Sequence, residues 1–254
     1  MGAETILAAK RTAFRREMVS FLREALFLFA AMIGYFLVRG GLPERAAEAF
    51  SRANQLIQLE QRLGIFVELE WQEQILDSIP LMRLANWTYV WGHLPVLIFA
   101  AVWIYLRNRE RYRVYRNALL ISAVIGLLSY GLFPVAPPRL LPEWGFVDTV
   151  ANLTRENYEM QPGFFVNHYA AVPSLHFGWA LLICIALFDV DRSLPIRLFA
   201  VVSTAAMFFA IVLTANHFIL DMLVGSLIVL LSIKLAFLLQ GYGLRLPVVG
   251  RQQA

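Results

Sequence analysis

The chain has 254 residues, 59% of them hydrophobic, a formal net charge of +4 and a mean hydropathy of +0.61. A soluble domain runs at about 45–50% apolar residues. The excess here is gathered in runs approaching the roughly 20 residues that cross a bilayer, which excludes a soluble enzyme and predicts an all-α, polytopic membrane protein.

No long stretch alternates at period two, which argues against a β-barrel. A single cysteine, Cys184, excludes an internal disulfide and a cysteine-based zinc site. Arginines flanking apolar runs account for the positive charge, so no nucleic-acid partner is expected.

Lys10, Arg11, Arg15, Arg16 and Arg23 precede a first apolar run at about 24–38. The basic flank places the N-terminus in the cytoplasm, and the pattern lacks a removable signal peptide. Over 43–63, Ala46, Ala49, Phe50, Ala53, Leu56, Ile57 and Leu63 recur at helical spacing between charged residues. This predicts an amphipathic helix on the membrane surface, which could guide lipids sideways toward a site. An acidic segment follows, with Glu68, Glu70, Glu73 and Asp77.

A second span is expected at 83–106, with Trp87, Trp91 and Trp103 marking its ends as aromatic belts. Arg107, Arg109, Arg111, Arg113 and Arg116 then read as a cytoplasmic loop. A third span, 117–135, runs out into Phe133-Pro134-Val135-Ala136-Pro137-Pro138-Arg139-Leu140, where proline stiffens the exit. Residues 140–172 form a long polar loop, of the kind that carries function or is ordered by short helices. Further spans are expected at 175–189, 196–214 and 216–240. Six spans from a cytoplasmic N-terminus put both termini inside, Arg245 and Arg251 included, and put Arg139, His176 and His217 outside. The whole chain, 1–254, reads as one integral membrane domain with its core at about 80–240.

Two histidines stand at the mouths of predicted spans. Ionisable groups at membrane depth are costly and mark function by default. His217 and Asp221, four apart, share a helix face, so the carboxylate can orient the imidazole and stabilise its cation. Such a histidine can act as a nucleophile toward phosphorus. Ser174 is a helix cap, and the first helical turn after it is an anion seat in which His176 can act as general acid. Arg139 offers a forked phosphate ligand, with Asn167 and His168 as further donors. His93, mid-span, reads as a structural helix–helix hydrogen bond. No group in this set requires a metal or other cofactor.

At these residues the sequence resembles the type-2 phosphatidic acid phosphatase superfamily. Pro173-Ser174-Leu175-His176 is similar to its Pro-Ser-Gly-His motif, with Leu175 where glycine is usual, and His217 and Asp221 are similar to the end of its third motif. The arginine of the third motif would fall near Ile211 and the lysine of the first near Leu132, both apolar. With Pro137-Pro138-Arg139-Leu140, the pattern resembles the inositol phosphorylceramide synthase-like branch.

The resemblance implies a metal-independent enzyme with a phosphohistidine intermediate at an extracytoplasmic site of the plasma membrane. His217 would be the nucleophile, Asp221 its orienter, His176 the acid and Arg139 a phosphate ligand. Two basic ligands fewer favour transfer of a phospho-headgroup from a phospholipid to an alcohol, such as inositol or a glycan. A lipid phosphate phosphatase with water as acceptor is the alternative. An intramembrane serine protease built on Ser174 and His217 lacks a strand–turn context, and a non-catalytic membrane scaffold would leave His217 dispensable.

Overall fold

The computed structural model describes residues 3–153 and 167–241. Among them the regular structure is helical: α1 (Ala3–Gly40), α2 (Ala46–Leu63), α3 (Glu68–Leu76), α4 (Ile79–Trp87), α5 (His93–Arg107), α6 (Arg109–Leu132), α7 (Thr149–Leu153), α8 (Leu175–Val190), α9 (Leu194–Leu213) and α10 (Ile219–Leu239). Five stretches are long and apolar enough to cross a membrane: Lys10–Gly40, Ile79–Arg107, Arg109–Leu132, Leu194–Leu213 and Ile219–Leu239. Leu175–Val190 is a shorter apolar helix packed among them. The chain is an all-α polytopic membrane protein.

Element boundaries correct the sequence reading in two places. The basic residues from Lys10 to Arg23 lie within α1, so the first helix starts well before its apolar run. The expected five-arginine loop is a tight helical corner. Arg107 ends α5, and Asn108 caps α6 by accepting the Arg111 N–H at 3.0 Å, so Arg109 to Arg116 lie on the first turns of α6. The spacing of these arginines lets them reach out around a helix: Arg111 Nε lies 3.3 Å from Asp189, and Arg116 Nη1 lies 2.6 Å from Glu24 of α1.

The second span is broken. A π-helical turn, Thr88–Gly92, separates α4 from α5. Such one-turn bulges re-aim side chains and recur at functional sites. This one places Tyr89 and His93 facing α8.

The core of the bundle is built by α5, α6, α8, α9 and α10 around Ile104, Val114, Leu182, Leu187 and Val229. Lipid offers no hydrophobic drive to join helices, so close backbone approach does that work. Gly225 of α10 supplies it: a Cβ there would stand 2.3 Å from the Ser174 carbonyl oxygen. Gly178 of α8 in turn faces the Gly225 carbonyl, at 3.0 Å from where its Cβ would be. The first turns of α8 and α10 are thus pressed together by two small residues. Leu175 fills the remaining gap over Gly126 of α6.

Helix α2 differs from its expected place. Ala49, Ala53 and Ile57 are fully buried, but against Val135, Ala136, Leu141, Ala171 and Phe218 rather than against a membrane surface. Glu60, on the same stripe, is also fully buried. The stripe sits on the loops that carry the candidate site.

Those loops are held by paired hydrogen bonds. Val135 bridges to Ala170, with Val135 N donating to the Tyr169 carbonyl at 2.9 Å and Ala171 N donating back to Val135 at 3.2 Å. Gln72 of α3 mimics a backbone pair with Val147, donating and accepting at 2.9 Å. Asn86 of α4 donates to the Thr149 carbonyl at 2.9 Å and accepts from the Thr149 hydroxyl at 3.0 Å. The described part of the long polar segment is therefore ordered by short turns and α7. The part of it at 154–166 lies outside the described residues, as do Arg245 and Arg251.

Candidate active site

The turn between α9 and α10 spans only a few residues. It closes because Ala215 takes a left-handed conformation, φ 52°, and Asn216 N donates to the Ile211 carbonyl at 3.0 Å. Left-handed backbone is costly for a residue with a Cβ, and such strain gathers at functional sites. The turn delivers His217 into a buried position immediately before α10.

His217 Nδ1 lies 2.8 Å from the Ala171 carbonyl and 3.3 Å from Asp221 Oδ2. An Nδ1–H directed at these two oxygens leaves the ring's lone pair on Nε2. The same Asp221 oxygen accepts the Phe218 N–H at 2.9 Å. Asp221 thus caps its own helix and faces the imidazole, while its Oδ1 is buried with no hydrogen-bond partner among the described residues.

His176 lies in the first turn of α8, with its ring centroid 6.0 Å from that of His217. Tyr89 is 4.7 Å away and His93 is 5.3 Å away, so His176 stands within an aromatic cluster. His93 itself stacks on Trp179 at 6.1 Å. Its Nε2 is buried with no hydrogen-bond partner among the described residues, so the expected helix–helix hydrogen bond from that atom is not made. Ser174 caps α8, its Oγ accepting from Phe177 N at 3.5 Å, and Ser174 N donates to the Asp221 carbonyl at 3.0 Å.

Arg139 is held on both sides. Its Nε donates to Asn216 Oδ1 at 2.9 Å, its Nη1 pairs with Asp148 Oδ2 at 2.7 Å, and its backbone N donates to the Ala215 carbonyl at 2.8 Å. The guanidinium therefore braces the turn before His217, and a carboxylate already offsets its charge. Asn167 is committed as well: Nδ2 donates to the Arg39 carbonyl at 3.3 Å and Oδ1 accepts from Tyr169 N at 2.9 Å. His168 is exposed in the adjoining turn and belongs to none of these contacts. Ile211, where the third motif's arginine would fall, is fully buried among Ala180, Met207 and Met222.

Sequence reasoning missed two carboxyl groups. The first N–H groups of α10 are taken by acids: Phe218 N by Asp221, Ile219 N by Glu68 Oε1 at 2.7 Å and Leu220 N by Glu60 Oε1 at 2.8 Å. Helix N-termini favour negative charge, and this one is filled by protein carboxyls before any phosphate can use it. Burial, and then the neighbouring Glu68 charge, push Glu60 up to about 9. The signal for Glu60 was its register, since it continues the Ala49, Ala53, Ile57 stripe at helical spacing.

Residues 54–235 match the PAP2 superfamily, and the chain belongs to it. A curated relative, the phosphoinositol dihydroceramide synthase of Bacteroides thetaiotaomicron, is 28% identical over 149 residues. That match covers 53% of this chain and 48% of the relative, so the chain spans about half the length of the relative it matches. No solved structure matches the chain.

Proposed function

We propose that the chain is an integral membrane lipid phosphotransferase that moves a phospho-headgroup from a lipid to an alcohol through His217. The single observation that carries this reading is the Nδ1 geometry: an imidazole fixed by the Ala171 carbonyl and Asp221, with its Nε2 lone pair turned away from both. The family and the named relative's chemistry support it.

In the first half-reaction, Nε2 of His217 attacks phosphorus, the bond from phosphorus to the lipid-side oxygen breaks, and His176 gives that oxygen a proton. A bound phosphate anion beside His176 favours the charged imidazole that this step needs. In the second, the acceptor hydroxyl attacks phosphorus, its proton passes to His176, and the phosphorus–nitrogen bond breaks. Inositol or a glycan is the candidate acceptor class. With a lipid phosphate monoester as donor and water as acceptor, the same residues make a phosphatase.

Sidedness follows from charge. The site lies where α1 and α6 end and where α8 and α10 begin, whereas Arg109 to Arg116 lie at the start of α6. By the positive-inside rule the arginine end is cytoplasmic and the site extracytoplasmic, which in a cell points to the plasma membrane.

The test is alkaline quenching and trapping of an acid-labile, base-stable label from a mixed phospholipid pool carrying labelled phosphate, with and without inositol. Wild type should carry a histidine-bound label that appears in a lipid or acceptor product, and His217→Ala should carry none. Rapid release of free phosphate without acceptor would replace transfer by hydrolysis. Turnover surviving in His217→Ala would refute the mechanism.

A further inference from the structure

The motif residues supply one cation, Arg139, and Asp148 already pairs with it at 2.7 Å. The two other motif positions are apolar: Leu132 is exposed at the end of α6 and Ile211 is buried. A lipid phosphate at His217 would therefore meet little net positive charge from the motifs, although charge-assisted contacts are what hold phosphate groups.

A second cation reaches the site from outside the motifs. Arg39 occupies the last turn of α1. Its carbonyl accepts from Asn167 Nδ2 at 3.3 Å, which fastens the end of α1 to the loop leading into Ala170–Ser174. One turn earlier, Tyr35 lies 5.7 Å from the Trp179 ring, the ring on which His93 stacks. Tyr35 also packs in one cluster with Tyr130, whose hydroxyl donates to the Pro173 carbonyl at 2.9 Å. The end of α1 is therefore anchored to the loop that runs on to Ala171, the carbonyl partner of His217. Its Nε is buried and has no hydrogen-bond partner among the described residues.

A guanidinium nitrogen placed so is costly unless something accepts from it. An arginine serving only as an interfacial anchor would turn its head group outward. We propose that Arg39 binds the phosphate of the lipid substrate, supplying from α1 the charge that the motif positions lack. The ligand class is a phosphate mono- or diester at a lipid headgroup. This rests on the phosphotransfer reading above.

The experiment uses the full chain in detergent with orthovanadate as the phosphate probe, measured by titration calorimetry and by the shift in unfolding temperature. The variants are Arg39→Gln, Arg39→Lys and His217→Ala, each also assayed for lipid turnover. Arg39→Gln should weaken vanadate binding about tenfold or more, as loss of a charge-assisted contact does. KM for lipid should rise with it, and the unfolding temperature without vanadate should stay near that of wild type. Arg39→Lys, which keeps the charge but not the fork, should recover part of the loss and serves as the arbiter if Arg39→Gln does not fold.

Vanadate binding unchanged in a folded Arg39→Gln, or absent from wild type, overturns the proposal. If vanadate binding depends on Arg39 while His217→Ala still turns lipid over, the phosphohistidine reading falls and the Arg39 site stands.

Discussion

The oxygen nearest to His217 Nδ1 among its hydrogen-bond partners is the carbonyl of Ala171, at 2.8 Å, with the Asp221 carboxylate farther off at 3.3 Å. Orientation of the ring and stabilisation of its charge are therefore divided. In the proposed reaction the backbone carbonyl would hold the tautomer, and the carboxylate would answer the positive charge that develops when Nε2 attacks. Asp221→Asn keeps an oxygen to accept the Phe218 N–H and keeps the tautomer. It should fold normally and lose about a hundredfold in kcat, within the span general for acid–base and orienting groups. Asp221→Ala should lose the cap as well, at a cost of about 1 kcal/mol. Turnover and thermal unfolding of both variants, compared side by side, check this. Equal kcat for Asp221→Asn and wild type would remove the electrostatic role.

Glu60 carries a pH signature. Its folded value of about 9 lies above the ordinary 4.5. Below pH 4.5 the carboxyl is protonated in both folded and unfolded chains and contributes no slope. Between 4.5 and 9 the unfolded chain ionises while the folded chain keeps its proton, so stability falls as pH rises, by at most about 1.4 kcal/mol per pH unit. Above 9 the slope ends. Glu60→Gln keeps an acceptor for the Leu220 N–H and removes this titration. Its unfolding temperature in detergent should change less between pH 5 and pH 8.5 than that of wild type. Parallel curves would show that Glu60 titrates normally.

The α8–α10 crossing leaves no room for a methyl group. With its Cβ 2.3 Å from the Ser174 carbonyl, Gly225→Ala must push apart the two helices that bring His176 and His217 together. Overpacking of this kind costs about 1–3 kcal/mol, and a displacement on the order of 1 Å at reacting groups costs about a hundredfold in rate. Gly34→Ala in α1, where nothing lies within 4 Å of the added carbon, is the matched control and should leave both quantities unchanged. Activity retained in Gly225→Ala would mean that the crossing is not needed to set the site.

Leu175 stands where the superfamily motif has glycine, and it packs over Gly126. Leu175→Gly would bring back the usual motif and open a cavity between α6 and α8. The loss should resemble that of other buried leucines, about 2–5 kcal/mol, with added backbone freedom in the first turn of α8. Thermal unfolding measures it. A variant as stable as wild type would show that the gap collapses without cost.

The sequence disclosed the helices and the histidine pair because those signals are local. Apolar runs near bilayer length, Ser174 before Leu175, and the four-residue step from His217 to Asp221 all lie within a few turns of chain. The contacts that complete the site are not local. Glu60 and Glu68 meet α10 from more than 150 positions away, beyond the reach of any local pattern. Asn167 is polar and near a motif, which suggests a phosphate donor, yet both ends of its amide are bonded to the protein. His93 looked structural in a helical span because the π-helical turn that re-aims it leaves no mark in apolar periodicity. Arg109 to Arg116 have the charge density of a loop, but the Asn108 cap starts a helix through them.

The match to the superfamily begins at Asn54, in the middle of α2. A recombinant piece trimmed to that boundary would keep every motif histidine and still remove Ala49 and Ala53 from beneath the site loops, together with the whole of α1. The packing beneath the site loops therefore has a longer footprint than the recognisable family segment. Transplanting residues 54–235 into another membrane scaffold would carry the signature without the support that shapes it.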